Sequence, residues 1–300
     1  MKPAEFGERQ FEMALYRQLE LTATAWAPEQ VLEHYLGFDA GLFLSRAYLW
    51  NLHGHPRPLA GISLFRDMWP LLGPSQVARS QLPSFDLNCF IQTKRPYVGK
   101  RLRAELRLKG LVLPFYKFEI TPEQQQCLER ISGTLRDRAL FVYAAAAFAT
   151  SSELFQHMAS GTMVEHSTFP SVEQLAGHGA WYYSQGGATG IPNPSFERSE
   201  GPSLLDRIAA FRRLRQGRGE RRTISENLAS LAGLVREAAG PGDRVSPNAR
   251  EAYFVQEWES IAARGRRYEA PPAVTAVAQI ATFAEFFSLS WMVIDDSIRS

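Results

Sequence analysis

Cysteine and lysine are both scarce in this chain of 300 residues. The two cysteines, Cys89 and Cys127, are too few for the framework of several disulfides that holds small secreted domains together. Lysine occurs five times, and four of the five lie between Lys94 and Lys117. Arginine therefore carries most of the basic charge. A net charge of +2 does not by itself indicate a nucleic-acid partner, so any attraction for phosphate must come from local clustering.

The sequence also lacks the marks of a membrane or secreted protein. The longest apolar-rich run, residues 273–294, contains Gln279 and Glu285 and is expected to form a buried helix that does not span a membrane. Three glutamates within the first twelve residues leave no uninterrupted apolar stretch of the secretory type. We therefore expect a cytoplasmic protein without a membrane partner.

Motifs of several common enzyme classes are absent as well. There is no phosphate-binding P-loop, no GxSxG nucleophile elbow and no dinucleotide fingerprint, and the six histidines do not follow the spacing of a structural zinc site. The hydrophobic fraction of 45% is nevertheless sufficient for one large domain or two modest ones.

Apolar periodicity and turn residues predict the order of the elements. Helices are expected at residues 4–21, 29–35, 121–138, 152–159, 203–216, 223–238, 247–264 and 273–292. Strands are expected at residues 38–45, 87–94, 115–120 and 139–148. We predict an α/β core over residues 1–160 with an insertion at about 50–84, an aromatic and glycine-rich loop or hairpin over 161–201, and an all-helical region over 202–300.

Four residues of the predicted core suit phosphodiester hydrolysis. Gln92 and Lys94 are two apart on one strand, so an oxygen ligand and an ammonium group face the same side. Asp39, at the start of another strand, can supply a carboxylate for a divalent cation. Glu12 would add a second carboxylate if its helix packs over the same sheet edge.

These residues resemble the PD-(D/E)xK nuclease superfamily, and within it the Mrr-like restriction endonucleases that carry a QxK motif. The similarity rests on residues 7–12 (GERQFE), on 37–39 (GFD) before a strand, and on 92–94 (QTK), and it covers about residues 4–150. It implies a restriction-endonuclease-like core of helix, mixed sheet and helix. It also implies Mg²⁺ or Mn²⁺ bound by Asp39, the Gln92 amide and the Thr93 carbonyl, with Lys94 and Glu12 as further catalytic residues.

The chain departs from the family pattern in two respects. Asp39 and Gln92 are 53 residues apart, which requires the insertion at 50–84 and makes Asp86 a rival metal ligand. Glutamine at position 92 replaces an acidic residue and removes one negative charge from the metal site. Taken without its context, a QxK pair is also typical of the solvent-facing side of an edge strand.

Two further segments are candidates for nucleic-acid contact. Residues 207–222 contain seven arginines and one acidic residue, and we single out Arg207, Arg212, Arg213 and Arg215 as phosphate-binding candidates. A solvated helix end is the alternative for this run. The aromatic residues 181–183 would suit base stacking, although such clusters also form small cores.

The sequence thus predicts a metal-dependent endonuclease, with DNA as the first candidate substrate and RNA as the second. Cutting both strands of a duplex favours a homodimer, and an activating protein partner is the other option. Restriction or defence against foreign DNA is the setting by analogy. The competing hypothesis is a catalytically inactive nuclease-like scaffold that binds nucleic acid or a protein.

Overall fold

The structure is a computed structural model, which describes residues 1–19, 41–42, 62–63, 87–184, 187, 189–193, 198–200, 203–216, 224–239, 249–267 and 272–294. These residues fall into two compact units. The first unit takes its residues from 1–22, 89–133 and 140–214, and the second from 23–88, 134–139 and 215–300.

The described residues form helices and short strands. The helices are α1 (Glu8–Leu19), α2 (Ala104–Leu108), α3 (Pro122–Leu135), α4 (Ser151–Ser160), α5 (Leu204–Gln216), α6 (Ile224–Ala239), α7 (Ala249–Arg267) and α8 (Pro272–Phe286). The strands are β1 (Lys2–Pro3), β2 (Gly41–Leu42), β3 (Ile62–Ser63), β4 (Leu87–Thr93), β5 (Tyr97–Gly99), β6 (Phe115–Glu119), β7 (Ala139–Ala146), β8 (Ser167–Thr168), β9 (Ala180–Ser184), β10 (Thr189–Asn193), β11 (Ser199–Glu200) and β12 (Ser290–Ile294).

An antiparallel sheet of six strands forms one layer of the first unit, in the order β1-β5-β6-β9-β10-β11. Strands β9 and β10 come from the segment predicted to be a loop or hairpin. They pair as a hairpin, with Tyr183 opposite Gly190, and β9 also pairs with β6. This aromatic segment is therefore part of the sheet and not a separate connection.

The second layer of the first unit contains β4, β7 and β8 in that order. Phe90 stacks on Phe141 with ring centroids 4.7 Å apart, and the Lys94 amide donates to the Ala144 carbonyl at 2.8 Å. Phe90 precedes Lys94 along the chain, and their partners Phe141 and Ala144 follow in the same order on β7. Strands β4 and β7 therefore run parallel. Because β7 and β8 are antiparallel, the sheet is mixed. The mixed α/β character that the sequence predicted is confirmed.

Large aromatic side chains fill the space between these two layers. Phe118, Tyr143, Trp181 and Tyr183 are all completely or almost completely buried. Phe118 stacks on Tyr143 at 5.9 Å between ring centroids, and the Tyr183 hydroxyl donates to the Ala146 carbonyl at 2.7 Å. Buried polar atoms of these rings thus bond to the opposite layer, which fixes how the two sheets face each other.

The second unit contains a helical core in which α8 packs against both α6 and α7. Aromatic rings of α7 and α8 meet there, with Phe254 and Phe286 at 5.3 Å between centroids. The prediction that the C-terminal region is all-helical is wrong, because α8 ends at Phe286 and strand β12 follows. Ser288 has a φ of 53° and the Leu289 amide donates to the Ala284 carbonyl, which closes the helix before a strand-forming run of aromatic and branched residues.

Several predictions lie outside the described residues. The helix expected at 29–35 and most of the insertion at 50–84 belong to this group. Of the strand expected at 38–45 the structure describes only β2, which pairs antiparallel with β3. Among the described residues, no helix is long and apolar enough to cross a membrane.

Substitution of Gly190 tests the packing between the layers. A Cβ atom at position 190 would lie 2.1 Å from Cζ2 of the buried Trp181 ring, so Gly190→Ala should lower the free energy of unfolding by ~1–3 kcal/mol. Gly133→Ala is the matched control, because a Cβ there meets no atom within 4 Å and the residue is helical. Urea unfolding should show that Gly133→Ala is as stable as the parent protein or more stable by ~0.5–1 kcal/mol. Equal stability of both variants and the parent protein would contradict this packing.

Candidate active site at the end of strand β4

The candidate site lies where β4 ends inside the first unit. Gln92 is 4% exposed and Thr93 is 5% exposed, so this end of the strand is buried. The backbone bond from Lys94 to Ala144 continues the pairing with β7 by one residue beyond the strand. The reading of the QxK pair as the solvent face of an edge strand is therefore wrong, because Gln92 has almost no contact with solvent.

Gln124, in the first turn of α3, joins the two polar side chains of the motif. Its Oε1 accepts a hydrogen bond from Lys94 Nζ at 2.9 Å, and its Nε2 donates to Gln92 Oε1 at 2.6 Å. Gln92 and Lys94 thus meet through a single side chain, as their predicted position on one side of the strand allows. The sequence predicts Gln124 only as part of the helix over 121–138 and does not indicate its contact with the motif.

The ammonium group of Lys94 lies above an aromatic ring. Lys94 Nζ is 5.8 Å from the centroid of the Tyr143 ring, within the range of a cation–π contact. Burial lowers the pKa of Lys94 from its ordinary value of 10.5, and the Glu8 carboxylate opposes this shift. The Lys94 side chain is therefore half-buried, with its amine between the Tyr143 ring and Gln124 Oε1 and under the influence of the Glu8 charge.

A second glutamine of α3 fixes the Tyr143 ring. The Tyr143 hydroxyl donates to Gln125 Oε1 at 2.8 Å, while Gln125 Nε2 donates to the Val172 carbonyl at 2.8 Å and to Glu129 Oε1 at 2.7 Å. Burial raises the pKa of Tyr143 well above its ordinary value, with a smaller contribution from Glu129. Adjacent glutamines of one helix therefore hold the polar end of β4 and the ring beside it.

The helix carboxylate whose charge acts on Lys94 is Glu8. Glu8 Oε1 accepts a hydrogen bond from the Arg95 amide at 3.1 Å, next to Lys94 in the chain. Glu12 lies one turn further along α1 and is half-buried. Two glutamates four residues apart follow the same side of a helix, so the sequence alone does not choose between them.

Oxygen donors at this site are of the type that Mg²⁺ prefers. The Gln92 amide and the Thr93 carbonyl were predicted as ligands, and both lie at the strand end, where Gln92 Nε2 donates to the Thr93 carbonyl at 3.3 Å. Asp39, the predicted carboxylate ligand, lies outside the described residues, as does Asp86. Within the described part of the chain no three His, Cys, Asp or Glu side chains converge. The Gln92 amide oxygen and the Thr93 carbonyl are suitable ligands for Mg²⁺, and the Asp39 carboxylate would have to complete the ligand set.

The arginines predicted to bind phosphate lie on α5. Arg207 is half-buried and donates a hydrogen bond to Gln174 Oε1, and burial lowers its pKa while Glu173 opposes the shift. Arg213 is exposed. Arg212 and Arg215 also belong to α5, but their side chains lie outside the description.

The aromatic residues 181–183 differ in their surroundings. Trp181 and Tyr183 are buried between the layers, which rules out base stacking for these two. Tyr182 points to the other face of the sheet, is half-buried, and has Lys117 Nζ at 5.9 Å from its ring centroid. The alternation of side chains along β9 explains the difference.

Comparison with protein-family models, with curated proteins and with solved structures gave no match.

The assignment of Glu8 predicts a specific change in the pKa of Lys94. In Glu8→Gln the opposing carboxylate charge is lost, so the pKa of Lys94 should fall further below 10.5. Titration of ¹³C-labelled lysines by NMR can measure this shift, since the chain has only five lysines and Lys94→Arg assigns the signal. Glu12→Gln is the matched control. A larger decrease in Glu12→Gln than in Glu8→Gln would identify Glu12 as the helix carboxylate of the site.

Proposed function

We propose that this protein is a metal-dependent endonuclease that hydrolyses phosphodiester bonds, with DNA as its first candidate substrate. The observation that supports this most directly is the meeting of Gln92 and Lys94 through Gln124 at the carboxyl end of β4. Active sites of α/β proteins are commonly built at the carboxyl ends of parallel strands. The order of the glutamate helix, the QTK strand and the following helix agrees with the resemblance described above.

Each side chain at the site has a role that its surroundings suit. A bound divalent cation would polarise the phosphate and activate water. The Gln92 amide oxygen, the Thr93 carbonyl and the Asp39 carboxylate would hold that cation. The Lys94 ammonium would stabilise negative charge on the phosphate oxygens.

Gln124 would be the residue that positions both groups. In the described arrangement it holds the Lys94 ammonium at a fixed place and leaves Gln92 Oε1 one further lone pair. Glu8 would keep Lys94 protonated by opposing the effect of burial. We place the enzyme, by analogy, in restriction or defence against foreign DNA, acting as a homodimer or with an activating protein.

One observation favours a second function, a catalytically inactive scaffold. Gln124 already engages both the Gln92 oxygen and the Lys94 ammonium, so the network is satisfied without a cation. In that case the polar end of β4 would serve only the stability of the first unit, and the protein would bind nucleic acid or a protein without cutting.

Cleavage assays with a lysine variant separate these two functions. Purified protein should cut plasmid or linear DNA in Mg²⁺ or Mn²⁺ and not in EDTA, and Lys94→Ala should reduce the rate by about 10²-fold or more. Lys94→Met keeps the apolar packing of the stem and should be equally inactive, while the exposed Lys2→Ala serves as the control. Single-stranded RNA is tested in parallel. Cutting that persists in both Lys94 variants would refute the catalytic assignment.

A glutamate at position 92 tests metal binding without reference to activity. If Gln92 is a ligand, Gln92→Glu should unfold at a lower temperature than the parent in EDTA, and Mg²⁺ should restore much of the loss, because a cation neutralises the buried carboxylate. Gln125→Glu is the matched control, since Gln125 is equally buried. Differential scanning calorimetry with and without Mg²⁺ gives the readout. The same Mg²⁺ response in both variants would exclude a cation site at Gln92.

A further inference from the structure

The segment from Lys100 to Leu113 is, besides residues 207–222, a second stretch of the chain that is rich in positive charge. It contains five basic residues and one acidic residue, Glu105, which gives it a net charge of +4. The whole chain has a net charge of +2, so all the other residues together have a net charge of −2. We call the five side chains, together with Arg198, the basic surface: Lys100, Arg101, Arg103, Arg107, Lys109 and Arg198.

The side chains of the basic surface are exposed and lie close together in the first unit. Each of the six residues is exposed, and within the described part of the chain none of them forms an ion pair with a carboxylate. Arg198 directly precedes β11, far along the chain from Lys100 to Leu113. Its Nη1 nevertheless lies 3.3 Å from the position that a Cβ atom at Gly110 would occupy. A distant part of the chain thus adds a sixth cation to the segment.

The fold holds this surface in one conformation. Leu106 and Leu111 are 2% and 4% exposed and pack with Phe115 and Ile191 on the outer face of the six-stranded sheet. The Val112 amide donates to Ser184 Oγ at 3.0 Å, and Ser184 Oγ donates back to the Val112 carbonyl at 3.2 Å. Because the backbone is anchored at these points, the cations are presented by an ordered support and not by a loose loop.

Three aliphatic side chains are exposed among the cations. Leu108 is 85% exposed, Val112 58% and Leu113 51%. Exposed apolar side chains that cluster beside a charged rim are typical of a binding surface, whereas isolated ones need no explanation. Proteins that bind the minor groove use leucine and similar residues as wedges next to their phosphate-binding cations.

We propose that the basic surface binds duplex DNA, a proposal that rests on the nuclease function proposed above. Six exposed cations with no carboxylate partner among the described residues suit a ligand with closely spaced negative charge, and a duplex carries one phosphate per ~1.7 Å of its axis. A single strand would need open aromatic rings for stacking. Tyr182, an aromatic side chain on this face of the sheet, is instead packed against the Leu106 cluster. The Leu108 side chain would then face a groove of the duplex.

Binding by a charge-neutralised variant tests this proposal. The variant Lys100→Gln, Arg101→Gln, Arg107→Gln should bind a labelled DNA duplex about tenfold or more weakly than the parent, and the slope of log K against log salt should fall by ~0.9 for each lost phosphate contact. Fluorescence anisotropy in EDTA measures binding without cleavage. The matched control, Lys2→Gln, Arg17→Gln, Arg266→Gln, removes the same charge from other exposed positions and should keep the parent's affinity and slope.

Three outcomes would overturn the proposal. The first is an equal loss of binding in both triple variants, and the second is stronger binding of single-stranded RNA than of the duplex. The third is binding of anionic phosphatidylserine vesicles, lost in the first variant, by a protein that does not bind DNA.

Cleavage in Mg²⁺ is scored separately. Duplex binding through this surface without cleavage would refute the proposed function alone, and cleavage with unchanged binding in the first variant would refute this surface alone.

Discussion

A buried polar group needs a hydrogen-bond partner, and this constraint organises the first unit around the end of β4. An unpaired buried amide costs roughly 1–3 kcal/mol, and an unpaired buried charge costs more. Gln92 and Lys94 both lie at this end, and the helix that begins at Pro122 supplies Gln124 to satisfy them. The position of α3 against the strand is therefore fixed by polar contacts as well as by apolar packing.

The same helix connects the polar site to the aromatic core. Gln125 holds the Tyr143 hydroxyl, and the Tyr143 ring packs on Phe118 of the antiparallel sheet while its face lies below the Lys94 ammonium. A displacement of the sheets would therefore move the ring that supports Lys94. Stability and the geometry of the site depend on one contiguous set of contacts.

The two basic segments differ in how far neighbouring elements cover their cations. The cations expected to bind phosphate along 207–222 begin with an arginine that is half-buried against Gln174, whereas the exposed cations of 100–109 stand on a well-packed apolar support. Arginine count alone does not distinguish a surface from a packed contact, because both use the same residue. What distinguishes them is whether the neighbouring elements cover the guanidinium group.

The amino-acid sequence by itself determined the elements whose signals are local. The QTK strand, the helix start at Thr121–Pro122, the strand over 139–146 and the four helices after 203 follow from periodicity, capping residues and breaks within a short window. Only the tertiary structure decided that α8 ends before a strand, that Glu8 acts on Lys94, that Gln124 joins the motif, and that Trp181 is buried while Tyr182 is not. Those outcomes depend on strand register and on contacts between residues far apart in the chain, which no local window contains.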